Sequence, residues 1–128
     1  MKKLLLILTL LFSVMFSSTP YADWTEVSKN IGGDVFFIDY ERIKKHDGYV
    51  YFWYLTNYLQ PSSSGIWSVK IYRQADCKLF RSKSLSWSFH QEPMGRGTGI
   101  LDNTPDKEWG YPTPDSSFEA LLESVCSR

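Results

Sequence analysis

Two cysteines, Cys77 and Cys126, are the only ones in a chain of 128 residues that opens with an export signal. Met1-Lys2-Lys3 supplies a cationic start, and Leu4 to Phe16 is an apolar run broken only by Thr9 and Ser13. The run falls short of the roughly 20 apolar residues that a bilayer core requires, and polar Ser17-Ser18-Thr19 follows at once. Residues 1–22 are therefore assigned to a cleaved signal peptide and residues 23–128 to a single domain. Pro20 fits the small-x-small cleavage rule poorly, so the cut after Ala22 is placed to within a few residues. An exported chain meets an oxidising compartment, where an even cysteine count reads as a disulfide framework rather than two buried free thiols. Joining Cys77 to Cys126 closes a loop of about 50 residues, which the chain-entropy model converts to about 4 kcal/mol of stabilisation. A domain of about 100 residues buries only around two thirds of its unfolded surface, so a staple of that size matters.

No cysteine follows the apolar run as an acceptor for N-terminal lipidation, so the mature chain is expected to be soluble, with no membrane span. The 14 basic residues balance the 14 acidic ones, and loss of Lys2 and Lys3 leaves 12 against 14. A near-neutral chain carries no broad electrostatic footprint for nucleic acid.

The ordered part reads as strands followed by one helix. Trp24–Val27 and Asp34–Tyr40 are β-branched and aromatic runs separated by a turn signal at Asn30-Ile31-Gly32-Gly33. Glu41–Lys45 is too short for an independent helix and reads as a one-turn connection ending in the turn signature His46-Asp47-Gly48. Tyr49–Leu59 is the strongest strand, with Tyr49, Tyr51, Trp53 and Leu55 on one face and Val50, Phe52 and Tyr54 on the other. Both faces call for cover. After the loop Gln60–Gly65, Trp67, Val69 and Ile71 alternate with Ser68, Lys70 and Tyr72. In Lys78–Gln91, Leu85, Trp87 and Phe89 face one way, and Ser82, Ser84, Ser86 and Ser88 the other, which is expected to face solvent. Glu92–Thr113 reads as a long loop with one short strand at Gly99–Leu101, and loops of this length often carry function. Ser116-Ser117-Phe118-Glu119 is a capping box, followed by an apolar stripe of Phe118, Leu121, Leu122 and Val125.

Chemistry-bearing constellations are weak. Gly95-Arg96-Gly97-Thr98-Gly99 has the composition of a phosphate loop, yet Ile100–Pro105 cannot supply the helix such a loop needs, and the segment reads as a flexible turn. Asp102, Asp106 and Glu108 lack the fixed glycine and terminal glutamate of a calcium loop. Asp39 and Glu41 alternate on one strand, and Ser88 and His90 share another with no nucleophile elbow. His46 and His90 are isolated in sequence. No catalytic residue, metal site or cofactor is assigned, and the chain is read as non-enzymatic. The 5 Trp, 8 Tyr and 8 Phe serve either a core or an interface. Spacing assigns Trp53, Trp67 and Phe118 to the core. Tyr58, Arg96 and Trp109, in or beside loops, are the candidates for contact with a protein partner.

The order of features resembles the bacterial surface-adhesin protein E family. It runs from the Asp23-Trp24 start through Phe37-Ile38-Asp39, the aromatic strand with Trp53, the Asp76-Cys77 junction and Trp109 to the ending Pro114-x-Ser-x-x-Glu-x-Leu-Leu-x-x-Val-Cys126. The resemblance covers the whole mature chain. It implies an α+β fold, a mostly antiparallel sheet with one C-terminal α-helix stapled to it by a Cys77–Cys126 disulfide, and a homodimer. It also implies a cell-surface adhesin that contacts host matrix and plasma proteins such as vitronectin, laminin and plasminogen. The second reading is a periplasmic ligand-binding or structural protein with no role in adhesion.

Overall fold

Alternating β-branched and aromatic runs punctuated by turn residues build seven antiparallel strands in the computed structural model, which describes residues 23–128. The assigned signal peptide, residues 1–22, lies outside the described residues. The strands are β1 (Thr25–Lys29), β2 (Val35–Ile38), β3 (Lys44–His46), β4 (Tyr49–Asn57), β5 (Ser68–Asp76), β6 (Arg81–His90) and β7 (Ile100–Asp102). One α-helix, α1 (Ser117–Cys126), follows them. A single sheet runs in the order β1-β2-β4-β5-β6-β7, and β3 pairs with the part of β4 that β2 leaves free.

The one-turn connection expected at Glu41–Lys45 divides into a 3-10 turn at Tyr40–Arg42 and strand β3. All three residues of β3 are exposed, so no apolar alternation marks it in sequence. Its signal is Asp47-Gly48, whose φ values of 50° and 82° supply the two positive angles of a tight two-residue hairpin turn.

The expectation that all the β6 serines face solvent is overturned by a β-bulge. Tyr72 pairs with Ser86 and Arg73 with Ser84, so Leu85 has no partner on β5 and the side-chain alternation shifts phase there. Ser82 and Ser84 lie buried on the same face of the sheet as Arg73, which donates to both hydroxyls. Beyond the bulge Trp87 and Phe89 take over that face, and Ser88 is buried on the opposite one.

Helix α1 covers the face carrying Phe36, Ile38, Val50, Phe52, Tyr54, Val69 and Ile71, and contributes Leu121, Leu122 and Val125 to this core. Its first turn is capped by the Ser116 hydroxyl, which accepts from the Glu119 amide at 3.2 Å. The Glu119 carboxylate reaches back to the Asp115 amide, one residue beyond the reciprocal bond that the capping box predicts. The Cys77–Cys126 disulfide joins the turn after β5 to the end of α1, with Cα atoms 5.5 Å apart. The stapled α+β architecture is as expected.

The core itself is smaller than the spacing suggested. Phe118 is 50% exposed and touches the core only through edge contacts with Phe36 and Tyr54, at 5.9 and 6.4 Å between ring centroids. Trp67 is half-buried, and Trp53 lies on the face that α1 does not cover. A helix of ten residues buries three side chains fully, and its first turn sits at the edge of the sheet, where the Ser117 hydroxyl bonds that of Ser28 on β1 at 2.9 Å.

Candidate functional site

Because the described residues supply one α-helix for a sheet with two aromatic faces, the second face of β4 and β5 has no helical cover among them. Trp53 pairs across the strands with Tyr72, and Tyr51 lies diagonal to it, so the three rings form a ladder. Trp53 and Tyr72 are 4.9 Å apart and Tyr51 and Tyr72 6.2 Å. All three are half-buried. Burial, and then the neighbouring Tyr51, raise the Tyr72 phenol pKa.

A shallow concavity of about 240 Å³ runs from Trp53 past Trp24, Arg42 and Lys70 to Leu101. It adjoins a wider one of about 620 Å³ that shares Trp24 and Lys70 and is bounded by Arg96 and Glu92. Arg42 is held by Asp39, Nε to Oδ2 at 3.3 Å, and the other Asp39 oxygen has no hydrogen-bond partner. This ion pair is what offsets the desolvation of the Asp39 carboxylate. Burial, and then the Arg42 charge, lower the Lys70 pKa.

The glycine segment closes one end of this face and is fixed rather than flexible. The Ser68 hydroxyl donates to the Glu92 carbonyl at 2.6 Å and accepts from the Gly95 amide at 2.8 Å, while the Met94 amide donates to Asn57 Oδ1. Gly95 has φ +67°, and a Cβ there would collide with the Lys70 side chain. Gly99 lies against Ser88 and His90, where a Cβ would strike both side chains.

His90 is 3% exposed beneath that cover. Its Nδ1 lies 3.1 Å from the Arg96 carbonyl, which can only accept, so Nδ1 carries the proton and Nε2 accepts from the Ser88 hydroxyl at 2.7 Å. The Ser-His pair thus has a backbone carbonyl where a catalytic triad has a carboxylate. Burial and the Lys70 charge lower the His90 pKa, outweighing the Arg96 and Gly97 carbonyls and Glu92, which raise it. The unfolded chain therefore binds this proton more readily than the folded one, and stability falls as pH drops below about 6.5 toward the lowered folded value. Urea midpoints at pH 7 and pH 5 will show this loss, and His90→Gln will reduce it. An unchanged pH dependence in the variant would show that His90 contributes nothing to it.

The three sequence-derived contact residues do not converge. Arg96 borders the wider concavity. Tyr58 lies just past the end of β4, half-buried against the core. Trp109 stacks on Tyr49 at 5.6 Å near the opposite end of β4, with Arg81 and Lys83 over its ring at 4.6 and 4.8 Å. Nine residues of extended strand place Tyr49 and Tyr58 roughly 30 Å apart. Trp109 therefore pins the long loop to the sheet, helped by Gly110 pairing with Ser82 and by Asp106 accepting from the Ser84 amide. The residues missed from sequence are Trp24, Tyr51, Lys70 and Tyr72. Their available signal was a doubly aromatic strand β4 followed by a single C-terminal helix to cover it.

The chain is similar to three solved structures of Haemophilus influenzae protein E. Crystal form II matches at 21% identity over 86% of this chain and 94% of that one, with a TM-score of 0.63. A second structure of that protein matches at 21% identity over 86% and 91%, with a TM-score of 0.62. Protein E from non-typeable Haemophilus influenzae matches at 19% identity over 87% and 79%, with a TM-score of 0.59. At these identities the likeness concerns the fold. No curated protein matches the chain. The family model for surface-adhesin protein E matches residues 24–127, nearly the whole described domain, with Cys77, Cys126 and the aromatic face all inside it, and the chain belongs to that family.

Proposed function

We propose that this chain is an exported, non-catalytic envelope protein that binds a protein partner, a host matrix or plasma protein, through the sheet face left uncovered by α1. Family membership supports the adhesin-like character. The observation that carries the assignment to this face is the half-exposed ladder of Tyr51, Tyr72 and Trp53, flanked by the cations Arg42 and Lys70 and by the exposed Leu101. Aromatic side chains bordered by a polar rim are the composition of protein-binding hot spots, and Arg is enriched with them. Among the sequence-derived candidates, Arg96 borders this surface at one end, Trp109 stacks on Tyr49 two residues along β4 from Tyr51 at the other, and Tyr58 lies away from it. Export by the signal peptide at residues 1–22 would deliver the domain to the periplasm or the cell surface.

The test is binding of the mature protein to immobilised laminin and vitronectin by interferometry. Trp53→Ala with Tyr72→Ala is expected to weaken binding by more than about tenfold, one hot-spot residue being worth ~2 kcal/mol. Arg96→Ala is expected to weaken it less, and Phe118→Ala on the opposite, helix-covered side of the sheet not at all, provided the circular dichroism spectra are unchanged. Equal binding by the double variant and the parent would refute the assignment to this face.

A further inference from the structure

The helix-covered side of the sheet holds a feature that partner binding on the other face does not use. Arg73, on β5, points its guanidinium into the wedge between α1 and the first half of β6. Its Nε and one terminal nitrogen donate to Ser82 Oγ at 3.3 and 2.8 Å, and the other terminal nitrogen donates to Ser84 Oγ at 2.6 Å. All of these acceptors are neutral hydroxyls. Arg73 also lies 5.9 Å from the centroid of the Tyr54 ring. The ion pairs among the described residues are Arg42–Asp39, His46–Asp47 and Arg81–Asp76, so the Arg73 charge has no carboxylate within ion-pair distance. Asp106 engages the Ser84 amide with Oδ2.

This cation lines a cavity of about 240 Å³. The remaining wall is largely apolar, with Phe52 from the sheet, Phe118, Leu121 and Leu122 from α1, and Tyr111 from the strap before the helix. A partly desolvated cation among apolar walls is stabilised by an anion that shares the site, and a guanidinium suits a carboxylate in particular. The volume is below the ~300–1,000 Å³ of sites for drug-sized ligands, which limits the occupant to a small molecule.

We propose that this cavity binds a small monocarboxylate with an apolar body, a medium-chain fatty acid in chemical class. Its carboxylate pairs with Arg73, and its hydrocarbon part lies against Phe52, Leu121 and Leu122. The single cation in the wall selects one negative charge, and the apolar walls select the tail. The site lies on the opposite side of the sheet from the aromatic ladder, so its failure would leave the proposed partner-binding face untouched.

The test is titration of the ¹⁵N-labelled mature protein with sodium octanoate, followed by amide chemical shifts. Saturable shifts are expected at the amides of Gly110, Tyr111, Thr113 and residues 118–122. Octanol, which lacks the charge, and inorganic phosphate, which lacks the tail, should each bind at least about tenfold more weakly, a charge-assisted hydrogen bond being worth ~1.5–3 kcal/mol. Arg73→Met should lower octanoate affinity by the same factor while leaving that for octanol unchanged. Because Arg73→Met removes bonds to two buried serines, Thr113→Phe provides a second variant. It fills the mouth of the cavity from an exposed loop position and should abolish the shifts with Arg73 intact. The proposal is overturned by non-saturating shifts, by shifts elsewhere in the sheet, or by octanoate affinity that survives both variants.

Discussion

Replacing Cys126 with serine is expected to lower the free energy of unfolding by about 4 kcal/mol, the value the chain-entropy model gives for a loop of this length. The two cysteines are 49 residues apart in sequence, and the segment between them contains β6, β7 and nearly all of α1. Without the bond the unfolded chain gains the freedom of that whole loop, and α1 keeps only three fully buried side chains to hold it on the sheet. A domain of this size has about 5–15 kcal/mol of net stability, so the loss is a large fraction of the total. Urea unfolding monitored by tryptophan fluorescence measures it directly. Cys77→Ser should cost the same, and the double replacement no more than either single one, since each variant removes the same bond. A midpoint that does not move, or a double variant with an additive loss, would contradict this role for the staple.

Leu121→Ala is expected to cost about 3 kcal/mol of packing. Leu121 is 2% exposed and packed in the core, and truncating a buried leucine removes its transfer energy and leaves a cavity that surrounding structure fills only partly. Phe118, three residues earlier on the same stripe, is the informative comparison. Despite its larger side chain, Phe118→Ala should cost only about 1 kcal/mol, because half of the ring is already in water and what is lost is chiefly its edge contacts with Phe36 and Tyr54. Thermal unfolding separates them, with a fall of more than about 10 °C for Leu121→Ala and a few degrees for Phe118→Ala. If the aromatic replacement proved the more damaging, the helix would be seated on the sheet differently from the way described above.

These two residues also show how far the sequence could be read. The period of 3.6 places Phe118 and Leu121 on one helical stripe, but periodicity records direction and not depth. Depth depends on where the first turn of α1 ends relative to the sheet. Strand alternation has the same limit. It separated the two faces of β4 correctly, yet on β6 a single unpaired residue shifted the phase, and the serines expected outside became the partners of Arg73. Strand β3 was hidden because an exposed hairpin arm of two lysines and a histidine has no apolar pattern, although Asp47-Gly48 marked its turn. The family, the staple and six of the seven strands were legible because they rest on residue types in sequence. The aromatic face and the Arg73 cavity were not, since both depend on which strands become neighbours and which side the one helix covers.

The unpaired Leu85 has a consequence for how this gene can vary. The side chain at 85 is only half-buried and no cross-strand partner reads it, so many residue types should serve there. The number of residues is a different matter. Deleting one codon at this point would put β6 back into simple alternation and force a choice. Either Ser82 and Ser84 would turn away from Arg73, or Trp87 and Phe89 would leave the side of Ile71 and Val69. Position 85 is thus expected to drift freely in identity among related sequences while its presence stays fixed. An alignment would record this as a variable column without gaps.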